Sequence, residues 1–296
     1  MDRAIYYKYF DENILPNIMP IEKQRQSIVR SVFLSYFIMI LCGVACAWLF
    51  IALSTRNNLT ILALPVILFL MYVFFIKSIT NAIVKGKEYQ KKLMNEVLPL
   101  FFKPVANFKY WEKNRDISTF LDSGLFRDFE AREDDFSIFG IYKDVNITLN
   151  DTKLIIPPNK TIFKGVAIQL EFPKSIDNHV ILISKNEKIY SNYSQINPQI
   201  DEMNKFMYVF AKNNNVKFIN NDLWNIIKRM AQNYTAKGFS ISYNNNTVLI
   251  CMRKKKPLSF GFLLKPLTKP QNYNDLIDMF SVVFDFIDCV QISQSF

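Results

Sequence analysis

"SVFLSYFIMILCGVACAWLFIAL", residues 31–53, is an apolar run that contains no charged residue. As an α-helix it would extend roughly 35 Å, more than the bilayer core of about 30 Å. A second uncharged run, "LTILALPVILFLMYVFFI", occupies residues 59–76 and would extend roughly 27 Å. The polar link "STRNN" at residues 54–58 joins the two runs. This pattern predicts a transmembrane helical hairpin over residues 31–76 rather than two buried core helices, which usually keep some polar positions.

The tripeptide "ACA" at residues 45–47 is similar to a signal-peptidase site, which would make the first run a cleaved leader. Residues 1–30 precede the apolar run, and the run continues past the tripeptide. A secretory signal has a short charged segment before its apolar core. We therefore expect the first run to remain in the protein as a membrane span.

Basic residues near the ends of the two runs predict the orientation of the hairpin. The link carries Arg56. The opposite ends carry Lys23, Arg25, Arg30, Lys77, Lys85, Lys87, Lys91 and Lys92. Since basic residues concentrate on the cytoplasmic side, we expect a multi-pass inner-membrane protein with both termini in the cytoplasm.

This orientation gives four expected regions along the chain. They are an N-terminal cytoplasmic segment (1–30), the transmembrane hairpin (31–76), a juxtamembrane helix (77–103) and a cytoplasmic α+β domain (104–296). Pro99 and Pro104 close the juxtamembrane helix. Anionic lipid headgroups are the expected contact of two basic stretches, whose alternative role is simply that of solvated flanks. The candidate residues are Lys77, Lys85, Lys87, Lys91, Lys92, Arg253, Lys254, Lys255 and Lys256.

The cytoplasmic region mixes strand and helix patterns. Alternating or continuous apolar runs predict strands at 145–149, 166–172 and 179–184. The stretch "FSISYNNNTVLICM" predicts a hairpin that turns at 244–246, because asparagine accepts left-handed backbone angles. We expect an α+β domain with a mostly antiparallel sheet.

Two helices are predicted in the same region. The first begins with a cap at Asn221 or Asp222 and ends with a cap at Gly238. The second covers 272–292, with apolar residues at helical spacing.

The net charge of +10 and the pI of about 9.3 could indicate nucleic acid as a partner. The basic residues cluster beside the apolar runs, however, and this placement favours a membrane surface. The cysteines show neither a Cys-x-x-Cys motif nor a disulfide framework, which excludes the common zinc patterns. They are Cys42, Cys46, Cys251 and Cys289.

Few residues offer catalytic chemistry. His179 is the sole histidine, and its place before an apolar strand favours a structural or surface role. No phosphate-binding glycine loop, dinucleotide fingerprint or nucleophile elbow occurs, and we expect no cofactor.

An acidic stretch, "FLDSGLFRDFEAREDDFSIFG" at 120–140, is the best candidate for a metal or acid–base site. Its carboxylates are Asp122, Asp128, Glu130, Glu133, Asp134 and Asp135. Arg127 and Arg132 lie among them, so an exposed ion-paired surface is the favoured interpretation.

Several short motifs carry a resemblance to a known family. "DSGLF", "DDFSIFG", "FKG" and the stretch from "FMYVFAKNNNVKFINNDLWNIIKRM" to "GFSISYNNNTVLICM" follow one another between residues 122 and 252. Together they resemble uncharacterised bacterial membrane proteins of the domain-of-unknown-function three-one-three-seven family. The resemblance implies a two-span hairpin followed by one cytoplasmic domain, and it implies no catalytic residues.

These patterns favour a non-catalytic, membrane-anchored binding or scaffold protein. Its partners would be the lipid bilayer and an unidentified protein, with oligomerisation left open and no nucleic acid. The alternative is a membrane-anchored enzyme that uses the acidic cluster 122–135 with a divalent metal. A transport role is disfavoured because neither apolar run carries an ionisable residue.

Overall fold

The computed structural model describes residues 3–53, 63–111, 116–126, 129–187, 190, 193–214, 216, 219–234, 238–253 and 265–293. The chain forms two compact units. The helical unit comprises Ala4–Val97 and Gly261–Asn272. The sheet unit comprises Met1–Arg3, Leu98–Phe260 and Tyr273–Phe296.

The chain begins as one long helix. Helix α1 (Arg3–Tyr9) continues through a π-helical turn (Phe10–Ile14) into α2 (Leu15–Leu53). Apolar side chains of its first part recur at helical spacing and are buried, namely those of Tyr6, Phe10, Ile14, Ile18, Ile21 and Ile28. The segment expected before the first span is therefore helical and has a packed face.

The apolar part of α2 is exposed to its surroundings instead. One helix among the described residues, Arg3–Trp48, is long and apolar enough to cross a membrane. Its most apolar window has a mean hydropathy of 2.1, yet only 6% of that window is buried. The link 54–58 and the start of the second predicted span, 59–62, lie outside the described residues.

Helix α3 (Ala63–Lys92) packs against α2, and two contacts between described side chains illustrate this packing. The hydroxyls of Ser35 and Ser78 share a short hydrogen bond. The rings of Tyr36 and Phe75 meet edge to face with their centroids 5.5 Å apart.

Beyond α3, the chain passes through a second π-helical turn (Leu93–Val97) into α4 (Leu98–Phe102). The helical stretch thus ends one residue before the expected end of the juxtamembrane helix. Leu93, Val97 and Phe101 recur every four residues and are buried, whereas Ile83 is 53% exposed.

A buried carboxylate joins distant parts of the helical unit. Glu22 accepts hydrogen bonds from Arg25 (2.7 and 2.8 Å), Gln26 (3.0 Å) and the backbone N–H of Leu267 (2.9 Å). Burial alone would raise the pKa of Glu22, but these hydrogen bonds outweigh it and lower the pKa. Glu22 therefore fixes the segment around Leu267 against the N-terminal helix.

The described residues of the sheet unit form seven strands, and each pairing among them is antiparallel. They are β1 (Asn107–Trp111), β2 (Ala131–Tyr142), β3 (Val145–Ile156), β4 (Lys160–Ser184), β5 (Ser194–Ile196), β6 (Met207–Ala211) and β7 (Gly238–Arg253). The order is β1-β2-β3-β4-β6-β5, and β7 pairs with the other edge of β4. The mixed α+β composition and the antiparallel sheet are confirmed.

Strand β4 is the centre of this sheet. Its first half pairs with β3 and its last residues pair with β6, while β7 runs along most of its length. The strands predicted at 166–172 and 179–184 are two parts of this one strand, which has paired neighbours on both sides.

The hairpin predicted at 244–246 was wrong, because residues 238–253 form one continuous strand. Asn245 does take a left-handed backbone angle, with φ of 55°. Asn245 lies where the pairing of β4 with β7 is irregular. There Glu171 pairs with Thr247 and Ile176 pairs with Asn245, so four residues of β4 lie opposite one residue of β7. The extra residues of β4 bulge out opposite the three asparagines, so the asparagines continue the strand instead of reversing it.

Besides α4, the described residues of this unit form four further α-helices. They are α5 (Ser118–Asp122), α6 (Asp201–Phe206), α7 (Asn221–Tyr234) and α8 (Asn274–Ser293). Apolar residues of α8 pack on the sheet, as shown by Phe286 stacked on Tyr243 at 6.1 Å and Phe280 against Phe108 at 5.0 Å. Short α5 and its following loop cover the opposite face through Phe120 and Leu125.

Both predicted caps of α7 were wrong. Asn220, one residue earlier than expected, caps the helix by accepting the N–H of Leu223 at 2.8 Å. Gly238 starts β7 and packs against Glu187, where a Cβ atom would overlap the carboxylate.

Candidate functional site

An open cleft of about 600 Å³ lies on the face of the sheet that carries α5. Polar side chains dominate its lining, which includes Asp122, Asn178, His179, Tyr193, Lys212 and Asn244. We call this site the polar cleft. Its volume is in the range of small-molecule and peptide-side-chain sites, roughly 300–1,000 Å³.

The irregular β4–β7 ladder creates the floor of the polar cleft. Regular pairing resumes at His179, which is the partner of Asn244. Asn178 therefore ends the irregular segment and His179 follows directly after it. Bulges redirect side chains in this way beside functional sites in many sheets.

Hydrogen bonds hold the adjoining chain in place. The side chain of Asn178 donates to the carbonyl of Asn213 (3.1 Å) and accepts the N–H of Asn213 (3.0 Å). The N–H of Lys212 donates to the carbonyl of His179 at 2.9 Å. This pairing extends the ladder past β6 and fixes the backbone that presents Lys212.

Two side chains of β7 donate hydrogen bonds to the end of α5. Asn244 donates to the carbonyl of Asp122 at 3.1 Å, and Ser242 donates to the carbonyl of Ser123 at 2.7 Å. The next residue, Gly124, has φ of 67°, and a Cβ atom there would stand 2.9 Å from Cδ1 of Ile181. Glycine is thus needed both for the turn and for the close approach to β4.

His179 is 8% exposed and hydrogen-bonded on both ring nitrogens. Nδ1 lies 3.0 Å from the hydroxyl of Tyr193, and Nε2 lies 3.0 Å from Oγ of Ser242 and 3.1 Å from the carbonyl of Ser123. Because a carbonyl can only accept, the proton of the neutral ring belongs on Nε2, and Tyr193 donates to Nδ1.

This arrangement assigns a supporting role to His179. Burial lowers its pKa, the largest effect being desolvation of the charged form. Nε2 donates towards Ser242, whose own proton is directed to the carbonyl of Ser123. Ser242 therefore has no base to remove its proton, and the geometry is unlike that of a serine nucleophile.

Two exposed charges of opposite sign, Asp122 and Lys212, stand among the neutral amides of the polar cleft. Such a lining offers donors and acceptors of both polarities to a ligand. The arrangement suits recognition of a polar, hydrogen-bonding group better than it suits covalent chemistry.

The acidic residues of 122–135 are distributed over several structural roles. Asp134 forms a fully buried ion pair with Arg132, at 2.9 Å and with each side chain 1% exposed. Glu133 forms an exposed pair with Lys153 at 3.1 Å. Asp122 lines the polar cleft, and Glu130 is exposed before β2.

Asp128 and the adjacent Arg127 lie outside the described residues, as does the side chain of Asp135. Among the described residues, no three His, Cys, Asp or Glu side chains are grouped as metal ligands. The expected ion-paired surface exists at Glu133, whereas the pair at Asp134 is part of the interior.

The basic candidates fall into two separate groups. Five exposed lysines lie along α3, namely Lys77, Lys85, Lys87, Lys91 and Lys92. Arg253 ends β7 in the other unit, where it pairs with Glu187 and lies 5.4 Å over the ring of Phe163. Lys254, Lys255 and Lys256 lie outside the described residues.

The sequence patterns did not indicate the polar cleft. Asn178, Tyr193, Lys212 and Ser242 belong to no motif, and the position of His179 before an apolar strand favours a structural or surface role. One usable signal was present, since a polar break within the apolar stretch of β4 faces a similar break of asparagines at 244–246. The two breaks align only once the strands are paired.

Comparisons with known proteins add little to this description. No family model and no curated protein matches the chain. Among solved structures, the mycobacterial trehalose monomycolate transport factor A is similar with 10% identity and a TM-score of 0.35, covering 62% of this chain and 88% of that one. A likeness of this size does not indicate a function.

Proposed function

We propose that this chain is an integral inner-membrane protein whose sheet unit is a non-catalytic binding module. In this proposal residues 31–53 and 59–76 are antiparallel spans, and both termini are cytoplasmic. We also propose membership in the domain-of-unknown-function three-one-three-seven family, on the motifs described above.

The observation that carries the membrane assignment is the exposure of the apolar helix. A core helix of a soluble protein would be mostly buried, but only 6% of the most apolar window is buried. Large apolar side chains such as Phe33 (64%), Phe37 (58%) and Trp48 (69%) are exposed. Lipid is the environment that satisfies such a surface.

The second span is supported by α3, which packs beside α2 and exposes Phe69 (63%) and Tyr72 (62%). The five lysines of α3 follow these apolar residues. Anionic lipid at the cytoplasmic surface would stabilise each nearby lysine by about 1 kcal/mol.

The binding role rests on the polar cleft. Its floor is fixed by buried hydrogen bonds, burial lowers the pKa of its histidine, and its rim carries amides with one charge of each sign. A polar segment of a partner protein is the ligand that this lining fits best. The enzyme alternative requires the acidic residues to converge on a metal, and the pairing of Asp134 with Arg132 and of Glu133 with Lys153 favours a structural role for both.

Cysteine accessibility tests the topology. In a background with serine at the four native cysteines, Ser54→Cys is expected to react with a membrane-impermeant maleimide in intact cells. Glu88→Cys, which is exposed on α3, should react only after the membrane is opened. Labelling of Glu88→Cys in intact cells would reverse the proposed orientation.

Site-specific photo-crosslinking tests the binding module. A benzophenone amino acid at Leu121, at the edge of the polar cleft and 42% exposed, is expected to capture a partner in cells. The same amino acid at Ile141, 50% exposed on β2, is the matched control. Lys212→Ala should weaken the adduct at position 121, and absence of an adduct there, or equal adducts at both positions, would contradict the proposal.

A further inference from the structure

A second site, an open groove of about 440 Å³, lies on the face of the sheet opposite to α5. It lies where the end of β4, the α6–β6 junction, helix α7 and the start of β7 meet. Because successive side chains of a strand point to opposite faces, Phe239 of this groove faces away from Ser242 and the polar cleft. We call this site the lysine groove, and it is independent of the proposed function.

The walls of the lysine groove are apolar. Phe206, Met207, Trp224 and Phe239 line it, and Phe206 remains 56% exposed. Trp224 and Ala231 are seven positions apart on α7 and therefore lie on one helical face. An exposed aromatic ring beside buried apolar walls is unfavourable in water and favours an apolar occupant.

Three lysines surround these walls. Lys228 lies one helical turn after Trp224, and it pairs with Glu202, which also accepts a hydrogen bond from Nε1 of Trp224 at 3.0 Å. The hydrogen bond from Lys228 is the main reason that the pKa of Glu202 lies below its usual range. This pair is internally neutral. Lys205 also attracts Glu202, so one carboxylate stands against three lysines and the groove keeps a net positive charge.

The other two lysines are Lys185 and Lys205. Nζ of Lys185 lies 5.4 Å over the ring of Tyr208, and its backbone N–H donates to the carbonyl of Phe206 at 3.0 Å. Among the described residues neither lysine has a carboxylate within ion-pair distance. The groove thus combines an apolar wall with an excess of positive charge.

We propose that the lysine groove binds a single-chain amphiphile with a monoanionic carboxylate head, of which a long-chain fatty acid is the simplest member. The acyl chain lies along Trp224, Phe239 and Phe206, and the carboxylate lies between Lys185 and Lys205. The volume is that of a small-molecule site and favours one chain over the two chains of a phospholipid.

Tryptophan quenching in the full chain tests this site. The chain has three tryptophans, so Trp48→Phe and Trp111→Phe leave Trp224 as the reporter, in nanodiscs of phosphatidylcholine. Dibromostearate, whose bromines quench at short range, is expected to quench Trp224 in a saturable manner. Its neutral methyl ester should bind about tenfold more weakly, because it lacks the negative charge that strengthens the contact with a lysine.

Matched lysine variants give the control. Lys185→Gln with Lys205→Gln should weaken dibromostearate by about tenfold or more, whereas Lys109→Gln with Lys164→Gln, both exposed elsewhere on the sheet unit, should leave binding unchanged. Hydrogen exchange of α7 in the unsubstituted chain, slowed by stearate, provides a readout that needs no tryptophan change. Unsaturable quenching, equal binding of the ester, or equal weakening by both lysine pairs would overturn the proposal.

Discussion

The strongest energetic prediction concerns the buried pair of Arg132 and Asp134. Nε and Nη2 of Arg132 each lie 2.9 Å from an oxygen of Asp134, and each side chain is 1% exposed. Among the described residues, Asp134→Ala would leave the guanidinium with the carbonyl of Asp116 as acceptor and the ring of Phe120, 4.7 Å away. Removing one partner of such a pair costs about 3–5 kcal/mol.

The adjacent residue provides a matched control. Glu133 pairs with Lys153 at 3.1 Å, but these side chains are 61% and 36% exposed. An exposed pair of this kind contributes about 0.2–1 kcal/mol. Asp134→Ala should therefore destabilise the sheet unit several times more than Glu133→Ala does, although the two residues are neighbours on one strand.

Native-state hydrogen exchange of the full chain measures this difference where it arises. At 1.36 kcal/mol per factor of ten, Asp134→Ala should reduce the protection of core β3 amides such as that of Leu149 by roughly two to four orders of magnitude. Glu133→Ala should reduce it less than about tenfold. The double change Arg132→Met with Asp134→Leu should restore most of the loss, because the uncompensated charge is gone. Equal effects of the two single changes would refute the assignment of Asp134 to the interior.

Three further predictions follow from the same structure. Burial lowers the pKa of His179 in the folded state, so the unfolded chain binds more protons below about pH 6.5. The free energy of unfolding should therefore decrease as the pH is lowered through this range. Urea titrations should show a smaller decrease for His179→Gln. Gly165→Ala would place a Cβ atom on a backbone oxygen of β7 and should lower the free energy of unfolding by about 3 kcal/mol. Gly86→Ala, in open space on α3, should raise it by about 0.5–1 kcal/mol. Thermal unfolding measures both changes. Glu22→Ala removes the acceptor of the Leu267 amide, which should then exchange with solvent at least tenfold faster; unchanged protection would show that another group holds it.

Local sequence patterns predicted the elements that are decided locally. The apolar alternation of β3 and the helical spacing in α8 depend on near neighbours, and both predictions match the structure. The asparagines at 244–246 have the backbone angles of a turn, but their role is decided by β4, whose extra residues lie some 70 positions earlier in the chain. The polar cleft depends on the same long-range pairing and could not be read from either strand alone.

The buried ion pair shows the same limit. Arg132 and Asp134 are two apart in β2 and therefore share one face, which the alternation of a strand would indicate. Whether that face is interior or exposed depends on α5 and Phe120, which cover it. Composition indicates solvent for such a charged stretch, and only the packing of the loop over the sheet reverses that expectation.

The hydrogen bond from the N–H of Leu267 to Glu22 makes the beginning and the late part of the chain mutually dependent. During synthesis, all seven strands are made before Leu267, so the carboxylate of Glu22 can bind this amide only after the strands have left the ribosome. A fragment that begins at residue 104 would contain Leu267 without Glu22. The amide of Leu267 would then lack its acceptor. Fragments intended for crystallisation or binding studies should therefore carry residues 4–30 with the sheet, or remove residues 265–272 from it.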